Sequence, residues 1–222
     1  MTMVITNIKT TPVLVPFRYP PVTASGAISE LPLVLLDVET NVGLTGHAYL
    51  FVFLKSMLKP TIGCVAAVEE LVKGMSADPE QVDPILRRRL ELLDIHGILG
   101  QVLAGLDMAL WDIRAKSEDL SLAAVLGGTR DHLKSYNSCG LWVEKGDPEK
   151  VADQALELLA EGDFSAVKLR LGYESFEEDL AVVSAVKRSC GDAVDVMSDF
   201  NQGLVMKEAL SRCQALDGDG LY

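Results

Sequence analysis

The sequence predicts an α+β region followed by a parallel β/α sheet, on three observations. The first third of the chain alternates apolar and polar residues with period two, as half-buried strands do. From Met57 to Ala124 the period becomes helical. After Arg130 strand and helix patterns alternate for three units, and consecutive βα units build a parallel sheet. At 222 residues, with 49% hydrophobic and 23% charged residues, the chain can bury one or two globular cores.

Element by element, VITNIKTTPVLVPF and LPLVLLDVETNVGLTGHAYL read as strands, with an antiparallel hairpin turn at Asn41-Val42-Gly43. Between them, RYPPVTASGAISE is too polar and irregular for core, and a loop of this length tends to be functional. Asp78-Pro79 and Asp83-Pro84 place breakers or first-turn prolines near helix starts. Residues 98–116, ILGQVLAGLDMALWDIRAK, read as a well-buried helix in which Asp107 and Asp112 have structural, hydrogen-bonded roles. Leu126-Gly127-Gly128 stops a short helix. Then come the strand HLKSYNSCGLW and a helix from Asp147-Pro148 to about Glu161. The strand FSAVKLRL follows with a helix over 174–190, then the strand AVDVMSDF with a helix over 205–216. DGLY opens a further strand. No Gly-rich phosphate loop follows any of these strands, which argues against a nucleotide-binding fold.

Charge and cysteine usage exclude several classes. A net charge of −12 disfavours both nucleic acid and anionic membrane surfaces as partners. Arg87-Arg88-Arg89 lies among Asp83, Glu91 and Asp94 and reads as a solvated helix face. No segment reaches the roughly 18 apolar residues of a membrane span, and the N-terminus lacks the basic-then-apolar order of a signal peptide. Cys64, Cys139, Cys190 and Cys213 are widely spaced, the pattern of reduced thiols, and the expected location is cytoplasmic.

The candidate site lies between Phe164 and Gln202. On a strand, residues two apart point to the same side, so Lys168 and Arg170 share one face. Asp199 and Asn201 repeat that spacing at the end of the next strand. Either pair alone fits solvated strand-end charges or a turn. Their coincidence at the carboxyl ends of consecutive parallel strands, where chemistry collects, reads as a metal-and-base site or half of one.

These residues resemble the enolase superfamily, specifically its mandelate racemase and muconate lactonizing branch. The likeness covers essentially the whole chain: LPLVLLDVETNVGLTGHAYLF, AGLDMALWD, LGG, AVKLRLGY with DLAVV following, and MSDFNQ. It implies an α+β capping domain over residues 1–130 and, over 131–222, a partial (β/α)8 TIM-type barrel of about three βα units and the start of a fourth. It also implies Mg²⁺ held by three carboxylates at successive strand ends, a small-molecule hydroxy-acid or sugar-acid carboxylate as substrate, and a homo-oligomer at full length. By resemblance Asp199 is the first metal ligand, Lys168 the first Lys of a Lys-x-Lys motif, and Asn201 and Ser138 substrate contacts. Thr23, in the loop to Ser29, and Phe53 match the parts of the cap that close over substrate.

Two departures shape the expectation. Arg170 stands where the second Lys of the motif belongs, and a guanidinium that stays protonated cannot be a general base. It can oppose a second positive charge on Lys168 or hold a substrate carboxylate. Abstraction from one face suffices for dehydration, which is expected ahead of racemisation. The chain also stops at Tyr222, before the strand where the resemblance places the second metal carboxylate, so it is expected to be a truncated, catalytically incomplete piece. The alternative is an inactive remnant with a structural or binding role.

Overall fold

The structure is a computed structural model that describes residues 2–18, 20, 22–23, 26–138, 147–218 and 221, with the backbone alone at 22, 23, 26 and 27. In chain order the strands are β1 (Ile5–Pro16), β2 (Val22–Thr23), β3 (Gly26–Ala27), β4 (Glu30–Thr40), β5 (Thr45–Phe51), β6 (Ala166–Arg170) and β7 (Asp195–Asp199). The helices are α1 (Leu58–Val72), α2 (Pro79–Arg89), α3 (Gly97–Glu118), α4 (Leu122–Val125), α5 (Pro148–Ala160), α6 (Phe176–Cys190) and α7 (Met206–Asp217). The chain divides into two compact units: Met1–Pro16 with Glu30–Asp131, and Phe17–Ser29 with His132–Tyr222.

The first unit is an antiparallel sheet in the order β1-β4-β5, with helices packed on it. Alternation in β4 buries Val34, Leu36 and Val38, which join Val65, Val68, Leu106, Leu110 and Ile113 in one core. Gly43, at φ +81°, closes the β4–β5 hairpin, a backbone region that glycine enters without a Cβ clash. On edge strand β1, Glu69 of α1 accepts from the Ile8 N–H at 3.1 Å, occupying a donor that would otherwise face outward.

Asp78 caps α2 by accepting from the Glu80 N–H, with Pro79 in the first turn. Pro84, expected near a helix start, instead sits inside α2. It removes the bond to the Glu80 carbonyl, which is tolerated because Pro84 lies on the exposed side where water replaces the lost donor. Asp107 takes a hydrogen bond from Trp111; burial and then Asp83 hold its carboxyl above the usual range, against Arg87 and Trp111.

Asp112 ties α3 to β5: its Oδ2 accepts from the His47 N–H at 2.8 Å and from Lys116 Nζ at 2.7 Å. Burial pushes its carboxyl up, but the Lys116 and His47 contacts outweigh this and leave it below the ordinary value. A depressed folded-state pKa adds stability that is present above the unfolded value of about 3.9 and is lost as pH falls through the folded value. Asp112→Asn is therefore expected to cost about 1 kcal/mol at pH 7, a partly exposed charge-assisted bond, and less at pH 2. Urea unfolding at both pH values checks this; an equal loss at the two would show that the carboxylate charge is not responsible.

In the second unit β6 and β7 pair in parallel, flanked by α5, α6 and α7. Of the three expected parallel strands, the first is present among the described residues as one parallel bridge, Asn137 to Val167. Residues 131–136 are exposed and have no strand-length apolar face to bury, while 139–146 lie outside the described residues. The expected opening strand DGLY also falls largely outside them. No helix among the described residues is long and apolar enough to cross a membrane.

Candidate functional site

The site is built on the ends of β6 and β7. Val167 and Leu169 are buried in the core with Val151, Leu158 and Val183, which turns Lys168 and Arg170 to the other face. In the parallel register Arg170 stands opposite Asp199 and Lys168 opposite Met197. Lys168 Nζ lies 3.2 Å from Asp199 Oδ2, with the two side chains 22% and 34% exposed, so the pair is partly withdrawn from water. The same ammonium sits 5.3 Å from the centre of the Tyr136 ring. Burial alone would raise the Asp199 carboxyl, but the Asn201 N–H, Lys168 and Arg170 together bring it below the ordinary value.

Asn201 reaches the site by a different route from the one its spacing suggested. β7 ends at Asp199, and Asn201 sits beyond it in the left-handed region at φ 46°. Its N–H donates to Asp199 Oδ1 at 2.8 Å, a side-chain-closed turn that places it beside Arg170 without strand alternation. Arg170 Nη1 donates to Asn201 Oδ1 at 2.9 Å, and Nη2 to the Ser138 carbonyl at 3.3 Å. Ser138 thus enters through its backbone. Lys168, Arg170, Asp199, Asn201 and Ser138 form one connected group within the second unit.

The other two expected residues, Phe53 and Thr23, each have their own surroundings. Phe53 belongs to the first unit, where its ring stacks on Phe51 with centroids 4.0 Å apart and its backbone is left-handed at φ 57°. Thr23 contributes backbone to β2, paired with Gly26 in β3, and its side chain lies outside the described residues.

Behind the site lies a buried support that the sequence did not announce. Asp179 of α6 accepts from the N–H groups of Gly172 and Tyr173 at 2.8 and 3.1 Å, pinning the loop that leaves β6. Its other oxygen receives Arg212 Nη1 at 2.6 Å, and the same nitrogen reaches the Tyr173 carbonyl at 2.9 Å. Ser175 and Glu178 form a capping box at the start of α6. That S-x-x-E pattern is readable locally. Tyr136 and Arg212 carry no comparable signal, since neither belongs to a short motif.

Asp199 is a hard-oxygen donor suited to a divalent cation such as Mg²⁺. Among the described residues no group of three or more His, Cys, Asp or Glu side chains comes together to hold a metal. The described residues therefore fit such an ion with one carboxylate.

One unit is an antiparallel sheet with helices on it, and the other carries a Lys–Asp pair at the ends of parallel strands; both are consistent with the enolase-like class of folds. The chain belongs to the mandelate racemase / muconate lactonizing enzyme family: residues 5–127 match its N-terminal domain, and residues 150–222 match the enolase C-terminal domain-like family. It is 26% identical over 201 residues to arabinonate dehydratase of Saccharolobus solfataricus, covering 86% of this chain and 51% of that protein. It is 30% identical over 195 residues to D-galactarolactone cycloisomerase of Agrobacterium fabrum, covering 85% and 49%. The chain thus spans about half the length of these curated relatives. Among solved structures, an enolase from the alphaproteobacterium bal199 with bound magnesium matches at TM-score 0.92 and 33% identity, over 99% of this chain and 61% of that one. An enolase from Bradyrhizobium complexed with magnesium and mandelic acid matches at 0.89 and 29%, over 100% and 60%.

Proposed function

We propose that this chain carries part of the active site of a Mg²⁺-assisted enzyme that abstracts the proton alpha to the carboxylate of a hydroxy acid or sugar acid, with dehydration as the outcome. The observation that carries the reading is Lys168 paired with Asp199 across adjacent strand ends, with an arginine in place of a second lysine. The dehydratase among the relatives and the magnesium in the two related enolases support the substrate class and the ion.

In this reading Lys168 Nζ, in its neutral amine form, takes the alpha proton and becomes an ammonium. The electron pair left behind then expels the beta hydroxyl, which takes the proton now held on Lys168 and leaves as water, returning the lysine to its amine form. A bound Mg²⁺, with Asp199 as one ligand, would stabilise the negative charge that gathers on the substrate carboxylate. Arg170 cannot exchange a proton near neutral pH, so only one face of the substrate meets a base among these residues. Elimination needs one face; racemisation needs two.

The test is Lys168→Ala in a polypeptide carrying this chain through the full length of its relatives. Exchange of the alpha proton of sugar acids in D2O, followed by NMR, is expected to fall about 10²–10⁴-fold, the usual contribution of a positioned base. Exchange at the unchanged rate would show that Lys168 is not the base and end the proposal.

A further inference from the structure

We propose that Arg170 is a positioning residue: it fixes the Asn201 side-chain amide with its NH2 group turned toward the ligand, so that the site presents a hydrogen-bond donor there. A guanidinium has only donors, so the Asn201 atom 2.9 Å from Arg170 Nη1 is the carbonyl Oδ1. With Oδ1 turned to Arg170, the amide of this half-buried side chain is fixed so that Nδ2, which can only donate, is the end directed away from the guanidinium.

The rest of the geometry holds that choice in place. The second arm of the fork is anchored on the Ser138 carbonyl at 3.3 Å, so the guanidinium plane is fixed from both sides. The Asn201 backbone is held by Asp199 Oδ1 at 2.8 Å in its left-handed turn. Arg170 Nε–H is buried with no partner among the described residues. The fork is therefore not arranged to satisfy the arginine itself; both contacts it makes go to residues framing the site. A lysine, with a freely rotating ammonium, could not fix two acceptors in one plane. A ligand group facing Asn201 Nδ2 is then an acceptor oxygen (carboxylate, carbonyl or hydroxyl), and an ammonium or amide N–H finds no acceptor at that atom.

The ligand's location rests on the function proposed above, but the orientation of Asn201 does not. The experiment is NMR of the ¹⁵N-labelled 222-residue chain. The Asn201 side-chain amide pair is assigned by its loss in Asn201→Ser. In Arg170→Met the pair is expected to move to the position of a solvated asparagine amide, while those of Asn7 and Asn41 stay. In Arg170→Lys, which restores one donor, it is expected to return part of the way. A pair that does not move in folded Arg170→Met overturns the proposal. If that variant loses the native backbone spectrum, Arg170→Lys decides alone: a displaced pair supports the proposal, and a pair at the wild-type position overturns it. No turnover is needed, so a failed proton-exchange assay leaves this result standing, and an unmoved amide leaves the proposed reaction standing.

Discussion

Replacing Arg212 by methionine is expected to destabilise the second unit by about 3–5 kcal/mol, the cost of leaving one half of a buried ion pair without its partner. Asp179 is 0% exposed and Arg212 6%. Burial disfavours the charge on Arg212, but Asp179 and then Glu208 more than offset it and raise the guanidinium pKa above its ordinary value. Methionine fills much of the volume but supplies no donor. Asp179 would keep only the N–H groups of Gly172 and Tyr173, and the Tyr173 and Ser175 carbonyls would lose their shared Arg212 nitrogen. Urea unfolding followed by circular dichroism reads the loss. Adding Asp179→Asn should recover a large part of it, because the orphaned charge disappears with its partner. A loss below about 1 kcal/mol in the single variant would mean that this pair behaves like a surface one.

Gly46→Ala is expected to be as damaging to the first unit, for a steric reason. A Cβ at Gly46 would lie 2.0 Å from the Ala109 carbonyl oxygen and 2.7 Å from Ile113 Cγ1. The first of these is backbone in the middle of α3, which cannot rotate aside; either the helix withdraws from β5 or the strand pairing gives way. A loss of about 3 kcal/mol or more is expected, the upper range for overpacking. Gly105→Ala is the control. There the new Cβ meets Leu50 Cδ2 at 2.4 Å and Leu36 Cδ1 at 2.9 Å, the far ends of side chains that can change rotamer. Its loss should be clearly the smaller of the two in thermal unfolding. The reverse order would show that α3 slides more easily than those leucines repack.

The contrast between these glycines also marks what could be read from the sequence. Strand β4 was legible because one of its faces is buried, so Val34, Leu36 and Val38 recur with period two. The α3 helix was legible because small and apolar residues fall three and four apart along it. Which glycine touches backbone and which touches side chain depends on the helix–strand distance, and no local pattern encodes that. The site divides in the same way. The common face of Lys168 and Arg170 follows from strand geometry alone. Arg170's partners do not, because Asn201 and Ser138 lie 31 and 32 residues away and reach it through a turn and a backbone carbonyl. Of the expected first parallel strand, the described residues show one bridge, Asn137 to Val167, while the stretch from 131 to 136 stays exposed.

The link from Asp179 to Arg212 spans 33 residues, with the whole of β7 between them. During synthesis the polypeptide emerges from its N-terminus, so β6 and α6 leave the ribosome before the arginine that neutralises Asp179 does. Until α7 follows, burying that carboxylate is unfavourable, and the loop after β6 has no countercharge on which to close. The two βα units therefore mature together: the end of β6 that carries Lys168 and Arg170 settles only once a helix three elements downstream has docked.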